Sequence, residues 1–69
     1  MPVIARFCGI VIRLLPLRLF GPRLHAFHGN CELVLDLRTL RILHDNVSES
    51  VRQLVLAWAA EHQKQLLAA

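Results

Sequence analysis

An arginine and a histidine separated by one residue form the pattern with the clearest chemical potential in this chain. Arg23 and His25 lie in the segment Pro22-Arg23-Leu24-His25, and side chains two residues apart on a strand point to the same face. The guanidinium could hold a phosphate and the imidazole could move a proton, as in metal-independent RNA cleavage. This pair is our catalytic candidate. The alternative is a solvated Arg23 and a His25 that only hydrogen-bonds within a strand, which leaves open whether the chain is an enzyme.

The other histidines and the cysteines are weaker candidates for chemistry. A zinc site made of His25, His28, Cys8 and Cys31 would lack the Cys-x-x-Cys or helical histidine pair that fixes ligand geometry. We therefore predict no metal and no cofactor. Both cysteines lie in strand-like stretches, where we expect buried, reduced thiols. His62 falls on the apolar stripe of a predicted helix, so we expect it to pack rather than to bind a ligand.

Basic residues are concentrated in the first third of the chain. Four arginines precede Glu32, the first acidic residue: Arg6, Arg13, Arg18 and Arg23. Their positive field could attract phosphate, an anionic membrane or an acidic partner. We take Arg6, Arg13 and Arg18 as candidate nucleic-acid contacts of a regulatory domain, the alternative being arginines that only solvate the surface. With no Tyr, three Phe and one Trp, a base-stacking sheet is poorly supported.

Length and hydropathy limit the class of protein. The 69 residues, 55% of them hydrophobic, predict one domain over residues 1–69 with a small core. The sequence has no glycine-rich phosphate loop and no Ser/His/Asp set. Arg13, Pro16 and Arg18 interrupt the apolar run from Val3 to Phe20, so that no uninterrupted stretch is long enough to span a membrane, and no small-residue cleavage site follows an apolar core. We expect a cytoplasmic protein that does not bind membranes.

Alternating apolar residues and turn residues predict strands between residues 3 and 44. The clearest alternation runs from Cys31 to Leu37, and Gly29-Asn30 before it can supply the positive φ angles of a tight hairpin turn. The segment from Pro16 to Pro22 is predicted as a loop because it contains two prolines and a glycine. The predicted strands are Val3–Cys8, Ile10–Leu15, Leu24–His28, Cys31–Leu37 and Leu40–Leu43.

The last third of the chain changes to a period of about 3.6 residues, which is typical of a helix. We predict a helix from about Ser48 to Leu67, capped by Asn46 or Ser48. Its apolar stripe consists of Val51, Leu54, Val55, Trp58, His62 and Leu66. Apolar residues on the opposite face are our candidate partner-binding residues: Leu56, Ala60 and Leu67.

These elements predict an α+β fold, in which a small antiparallel sheet of four to five strands packs on one C-terminal amphipathic helix. One helix covers only one face of such a sheet, so apolar surface remains on the other face. Hiding roughly a few hundred Å² at about 25 cal/mol per Å² would contribute several kcal/mol before the costs of association. We therefore expect the chain to pair with itself or with another protein.

Three spaced segments carry a resemblance to a known family. They run from Met1 to Ile4 with Arg6 to Arg13, from Pro22 to Gly29, and from Val51 to His62. Together they resemble the bacterial family of domains of unknown function numbered 4160, including its Trp-Ala-x-x-His pattern at Trp58 to His62.

The resemblance implies a role in a toxin–antitoxin-like pair, with a small protein encoded nearby as the partner. It does not imply which half of the pair this chain would be. Members of the family typically have His where this chain has Arg23, so that one imidazole of a His-x-His pair is replaced by a guanidinium. That departure puts an acid–base pair in doubt, and it leaves His25 as the remaining imidazole of the motif.

Overall fold

The computed structural model describes residues 3–17 and 21–68, and only the backbone of residues 16 and 17. Five strands precede one helix. They are β1 (Val3–Phe7), β2 (Ile10–Leu17), β3 (Gly21–His28), β4 (Cys31–Asp36), β5 (Ile42–Asp45) and α1 (Glu49–Ala68). The α+β prediction is confirmed, and the helix bounds differ from the predicted ones by one residue at each end.

The strands form one antiparallel sheet in the order β1-β2-β3-β4-β5, so each strand pairs with its neighbours in the sequence. Two-residue turns close two of the hairpins. Cys8 and Gly9 both have positive φ, 51° and 76°, as a type I′ turn requires. In the turn between β3 and β4, Gly29 alone has a positive φ, of 60°. Only the glycine of the predicted Gly29-Asn30 pair therefore uses the left-handed region.

The predicted loop from Pro16 to Pro22 is wrong at both ends, because these two prolines are Cα partners of the β2–β3 pair. The backbone oxygen of Pro22 accepts a hydrogen bond from the Leu37 amide at 3.2 Å, so the backbone groups of Pro22 point towards β4. Pro16 correspondingly points towards the β1 side, where the described pairing ends at Arg13. The prolines therefore remove no hydrogen bond from the β2–β3 ladder.

The connection between β4 and β5 is longer than predicted, and the last strand begins two residues later. Leu40 has a φ of 61°, and its amide donates to the backbone oxygen of Asp36 at 2.7 Å. The Asp36 carboxylate accepts from the Arg38 amide at 2.8 Å. Leu40 is thus part of the turn, and β5 runs over Ile42–Asp45.

The core lies between α1 and one face of the sheet. Its buried side chains alternate along the central strands and recur on the helix: Ile10, Ile12, Leu24, Ala26, Leu33, Leu35, Leu37, Val51, Val55 and Ala59. Leu54, predicted in the apolar stripe, is instead 42% exposed. Ala59 has no exposed surface, which indicates that the helix approaches the sheet closely at this small residue.

Polar contacts fix the start of the helix. The Ser48 hydroxyl oxygen accepts from the Val51 amide at 3.3 Å, which identifies Ser48 as the N-cap. Asn46, the other predicted cap, instead links the segment before the helix to β4, because its side-chain oxygen accepts from the Glu32 amide at 2.7 Å. No helix in the described residues is both long and apolar enough to cross a membrane, and α1 is the only helix they contain.

Candidate functional site

The sheet face that points away from α1 carries the candidate chemistry, and we call it the open face. Side chains alternate along a strand, so burial of Leu24 and Leu35 against the helix places their sequence neighbours on this face. The pairing register arranges the open-face residues in three rows across the strands. They are Arg6, Val11, Phe27 and Glu32; Arg13, His25, Val34 and His44; and Leu15, Arg23 and Asp36.

His25 occupies the middle row and forms the best-defined polar contact of the open face. Its Nδ1 lies 3.0 Å from Glu32 Oε2, and the contact runs diagonally because Glu32 pairs with Phe27. The side chain of His25 is 17% exposed. Its second nitrogen, Nε2, is buried and has no hydrogen-bond partner. Because a carboxylate only accepts, Nδ1 is the donor and Nε2 is the nitrogen left with unused hydrogen-bonding capacity.

Two arginines flank this histidine on the same face. Arg13 is the Cα partner of His25 on β2, and Arg23 lies two residues before His25 on β3. Both arginines interact with other groups of the protein, and Asp36 is the Cα partner of Arg23. The structure thus places Arg23 and His25 on one face, as predicted, and adds Arg13 to them. Such a set can bind an anion and transfer a proton.

The predicted nucleic-acid contacts are distributed unequally. Arg6 is exposed on β1, opposite Val11, and Arg13 is half-buried in the middle row of the open face. Arg18 lies outside the described residues. The open face therefore combines Arg6 and Arg13 with the separately predicted Arg23, so that residues assigned to two different functions share one surface.

Glu32 is the site residue that sequence reasoning did not select. A signal was present, because a two-residue turn at Gly29-Asn30 fixes the register that sets Glu32 opposite Phe27 and diagonal to His25. The alternation from Cys31 to Leu37 identifies the buried leucines of β4, whereas only the register with β3 shows that Glu32 lies beside His25.

The histidines and cysteines of the imagined zinc site are not gathered at one point. His28 is exposed and pairs with Cys31 at the end of the β3–β4 hairpin, whereas His25 faces Glu32. No group of three metal-binding side chains occurs within residues 3–17 and 21–68. The prediction of two buried thiols is wrong for Cys8, which is exposed, while Cys31 is half-buried. Cys8 is exposed because it forms the β1–β2 turn.

His62 belongs to an aromatic stack at the side of the core. Its ring stacks on Trp58 with centroids 4.3 Å apart, and Trp58 stacks on Phe7 at 6.2 Å. His62 Nδ1 donates to the backbone oxygen of Trp58 at 2.9 Å. The expectation that His62 packs within the helix stripe agrees with this arrangement.

The predicted partner-binding residues do not form one exposed surface. Leu56 is half-buried and packs against the core, whereas Ala60 is exposed and Leu67 is 39% exposed. Leu56 packs inward because α1 is rotated relative to the predicted stripe, which also exposes Leu54.

A family model described as "Domain of unknown function (DUF4160)" matches residues 9–69. The chain therefore belongs to this family, so the family assigned by resemblance is confirmed. No curated protein and no solved structure matches the chain.

Proposed function

We propose that this chain is a protein-interaction module, one component of a toxin–antitoxin-like pair, and that its open face binds the partner protein. One observation carries the proposal: α1 packs on only one face of the sheet, and nothing in the described residues covers the other. Half-buried apolar side chains lie there between the arginines: Val11, Leu15, Phe27 and Val34. An apolar centre surrounded by polar residues is typical of a protein contact surface.

Charge indicates which partner surface would fit. The open face carries three arginines, Arg6, Arg13 and Arg23, against two carboxylates, Glu32 and Asp36. With its histidines neutral, the face is therefore net positive by one charge. An acidic partner surface would complement this charge and would be guided to this face by long-range attraction.

The proposal is tested by the mass of the complex in solution. The chain is purified alone and after co-expression with the product of the adjacent gene, and the mass is measured by light scattering after size exclusion. We expect a stable complex or a homodimer. A chain that remains monomeric in both samples at micromolar concentration would contradict the proposal.

Two kinds of variant locate the contact. Val34→Glu places a charge at the apolar centre of the open face, and Arg6→Glu reverses an exposed charge without changing the packing. Both should weaken the complex, and Leu67→Glu on the exposed side of the helix is the matched control that should not. If only Leu67→Glu dissociates the complex, the contact lies on the helix and the open face is not the partner-binding surface.

A further inference from the structure

We infer that the open face is also a metal-independent RNA-cleaving site, in which His25 Nε2 is the general base, Glu32 positions the imidazole, and Arg13 and Arg23 bind the phosphate. This activity goes beyond partner binding and does not depend on it. A partner that covers the open face would block the site, which is how the two proposals would operate together.

The His25 ring is held in one orientation and has one unpaired nitrogen. Nδ1 donates to the Glu32 carboxylate at 3.0 Å, which fixes the orientation of the ring and leaves Nε2 as the acceptor in the neutral form. A buried polar atom without a partner destabilises a fold, and this Nε2 is the one such side-chain atom in the described residues. An unpaired nitrogen held in place by a carboxylate is the arrangement of a general base.

Two positively charged side chains, Arg13 and Arg23, flank the proposed base. Cross-strand partners such as Arg13 and His25 have Cβ atoms about 5 Å apart, and Arg23 shares the strand and face of His25. Two guanidinium groups beside one imidazole can hold a phosphodiester and stabilise the extra negative charge that forms on it in the transition state.

The residue types of the open face favour RNA as the substrate class. The open face contains no Ser, Thr, Tyr or Cys among its described residues, so the face supplies a base and cations but no hydroxyl or thiol nucleophile of its own. RNA carries that nucleophile beside each phosphodiester as the 2′-hydroxyl, and a base with two cations is then sufficient for cleavage.

The reaction balances without a co-reactant. His25 Nε2 takes the proton from the 2′-hydroxyl, the 2′-oxygen forms a bond to phosphorus, and the bond from phosphorus to the 5′-oxygen breaks. The leaving 5′-oxygen takes a proton from solvent, and His25 returns its proton to solvent. The products are a 2′,3′-cyclic phosphate and a 5′-hydroxyl. Arg13 and Arg23 would stabilise the pentavalent phosphate during this step.

Access to Nε2 requires a side chain of the open face to move, because the atom is buried in a ring that is itself partly exposed. Rotamer changes of exposed side chains take picoseconds to nanoseconds. A rotamer change on the open face is therefore fast enough to uncover Nε2 for a bound substrate.

The test uses the purified chain, a random-sequence single-stranded RNA pool and the corresponding 2′-O-methyl pool, both in excess EDTA. We expect cleavage of the RNA pool alone, with cyclic phosphate ends. His25→Ala and His25→Gln should lower the rate at least about 100-fold. His44→Ala is the matched control, since His44 lies in the same row but is exposed on β5, and it should retain the full rate.

Glu32→Gln distinguishes positioning from a structural role. The amide still accepts the hydrogen bond but no longer stabilises the imidazolium that forms in the transition state, so we expect kcat about 10-fold lower with KM unchanged. A loss that appears in KM or in the folded fraction of the chain, with kcat unchanged, would show that Glu32 only supports the fold.

Two results would overturn the inference: no cleavage that depends on the 2′-hydroxyl, or cleavage that is the same in the His25 variants and therefore due to a contaminating nuclease. The outcomes separate the two proposals. A chain that forms the complex but leaves RNA intact has a protein-binding open face only. A chain that cleaves RNA but binds no partner retains the inference and loses the proposed function.

Discussion

Gln63 donates a hydrogen bond from its side chain to the backbone oxygen of Leu37 at 3.0 Å, and thereby replaces the bond that Pro22 cannot make. Pro22 and Leu37 are opposite each other, with the Leu37 amide donating to the Pro22 oxygen. A residue other than proline would return a hydrogen bond to the Leu37 oxygen. Gln63 also donates to the Arg38 oxygen at 2.9 Å, so the helix completes the end of the sheet.

Gln63→Ala should therefore destabilise the fold by about 1–3 kcal/mol, because it leaves the oxygen of the buried Leu37 without a donor. The free energy of unfolding is measured by urea titration, with the fluorescence of Trp58, the only tryptophan, as the signal. Gln65→Ala, on the exposed side of the helix, is the control and should change stability by less than about 0.5 kcal/mol.

Pro22→Ala supplies the second arm of this experiment, because it restores the missing amide. In that background Gln63→Ala should cost less than it does alone, which appears as coupling in a double-mutant cycle. Equal costs in both backgrounds would show that Gln63 does not substitute for the Pro22 amide.

The Asp45–Arg52 pair makes stability depend on pH in the acid range. Arg52 Nε donates to Asp45 Oδ2 at 2.6 Å, and the Val47 amide donates to Asp45 Oδ1 at 3.1 Å. The hydrogen bond from Arg52, together with that from Val47 and the charge of Arg52, lowers the pKa of the Asp45 carboxyl below its ordinary value of 3.8, against the opposing effect of burial. The pair joins the end of β5 to the first turns of α1.

A carboxyl whose folded pKa is lowered stabilises the protein above its unfolded pKa, and this contribution disappears as the pH falls through the folded pKa. Asp45→Asn should therefore be less stable than the native chain at pH 6, and the difference should shrink below about pH 4. Urea titrations between pH 2.5 and pH 6 give both curves, with Glu61→Gln on the exposed helix surface as control. A difference that stays constant over this range would exclude a role for the charge.

Leu54 and Leu56 test the rotation of the helix. Leu56 packs against the core, whereas Leu54 is 42% exposed. Truncating a partly buried leucine removes apolar contacts, so Leu56→Ala should cost about 1–2 kcal/mol and Leu54→Ala less than about 0.5 kcal/mol. The reverse order in urea titrations would favour the apolar stripe predicted from the sequence over the rotation of α1 in the structure.

The helix also shows that sequence periodicity predicts where α1 begins and ends but not which side of it faces the sheet. The change of period from two to about 3.6 locates the helix to within one residue, because caps and apolar spacing are local properties. The side that faces the sheet is set by packing. Ala59 is fully buried because a small residue allows close approach, and a hydrophobicity pattern gives an alanine too little weight to show this.

The same distinction applies to the candidate site. That Arg23 and His25 share a face follows from the strand period alone. The contact between His25 and Glu32 needs the register of two strands, and the position of Arg13 opposite His25 needs a third strand. The extension of β2 and β3 through Pro16 and Pro22 is not predicted, because proline is disfavoured in central strands. The sheet accommodates both prolines because their backbone groups point away from the β2–β3 ladder, which the sequence pattern does not reveal.

Cys8 is the residue whose replacement should improve the fold. It has a φ of 51° in the β1–β2 turn, a conformation that is costly for most residues with a side chain but well tolerated by asparagine. Cys8→Asn creates the Asn-Gly pair preferred in type I′ turns, so we expect stability to rise by about 0.5–1 kcal/mol. Cys8→Ala keeps the strained backbone without that preference, and serves as the control that should gain nothing. Because Cys8 is exposed, a gain shared by both variants in urea titrations would point to the thiol rather than to the turn.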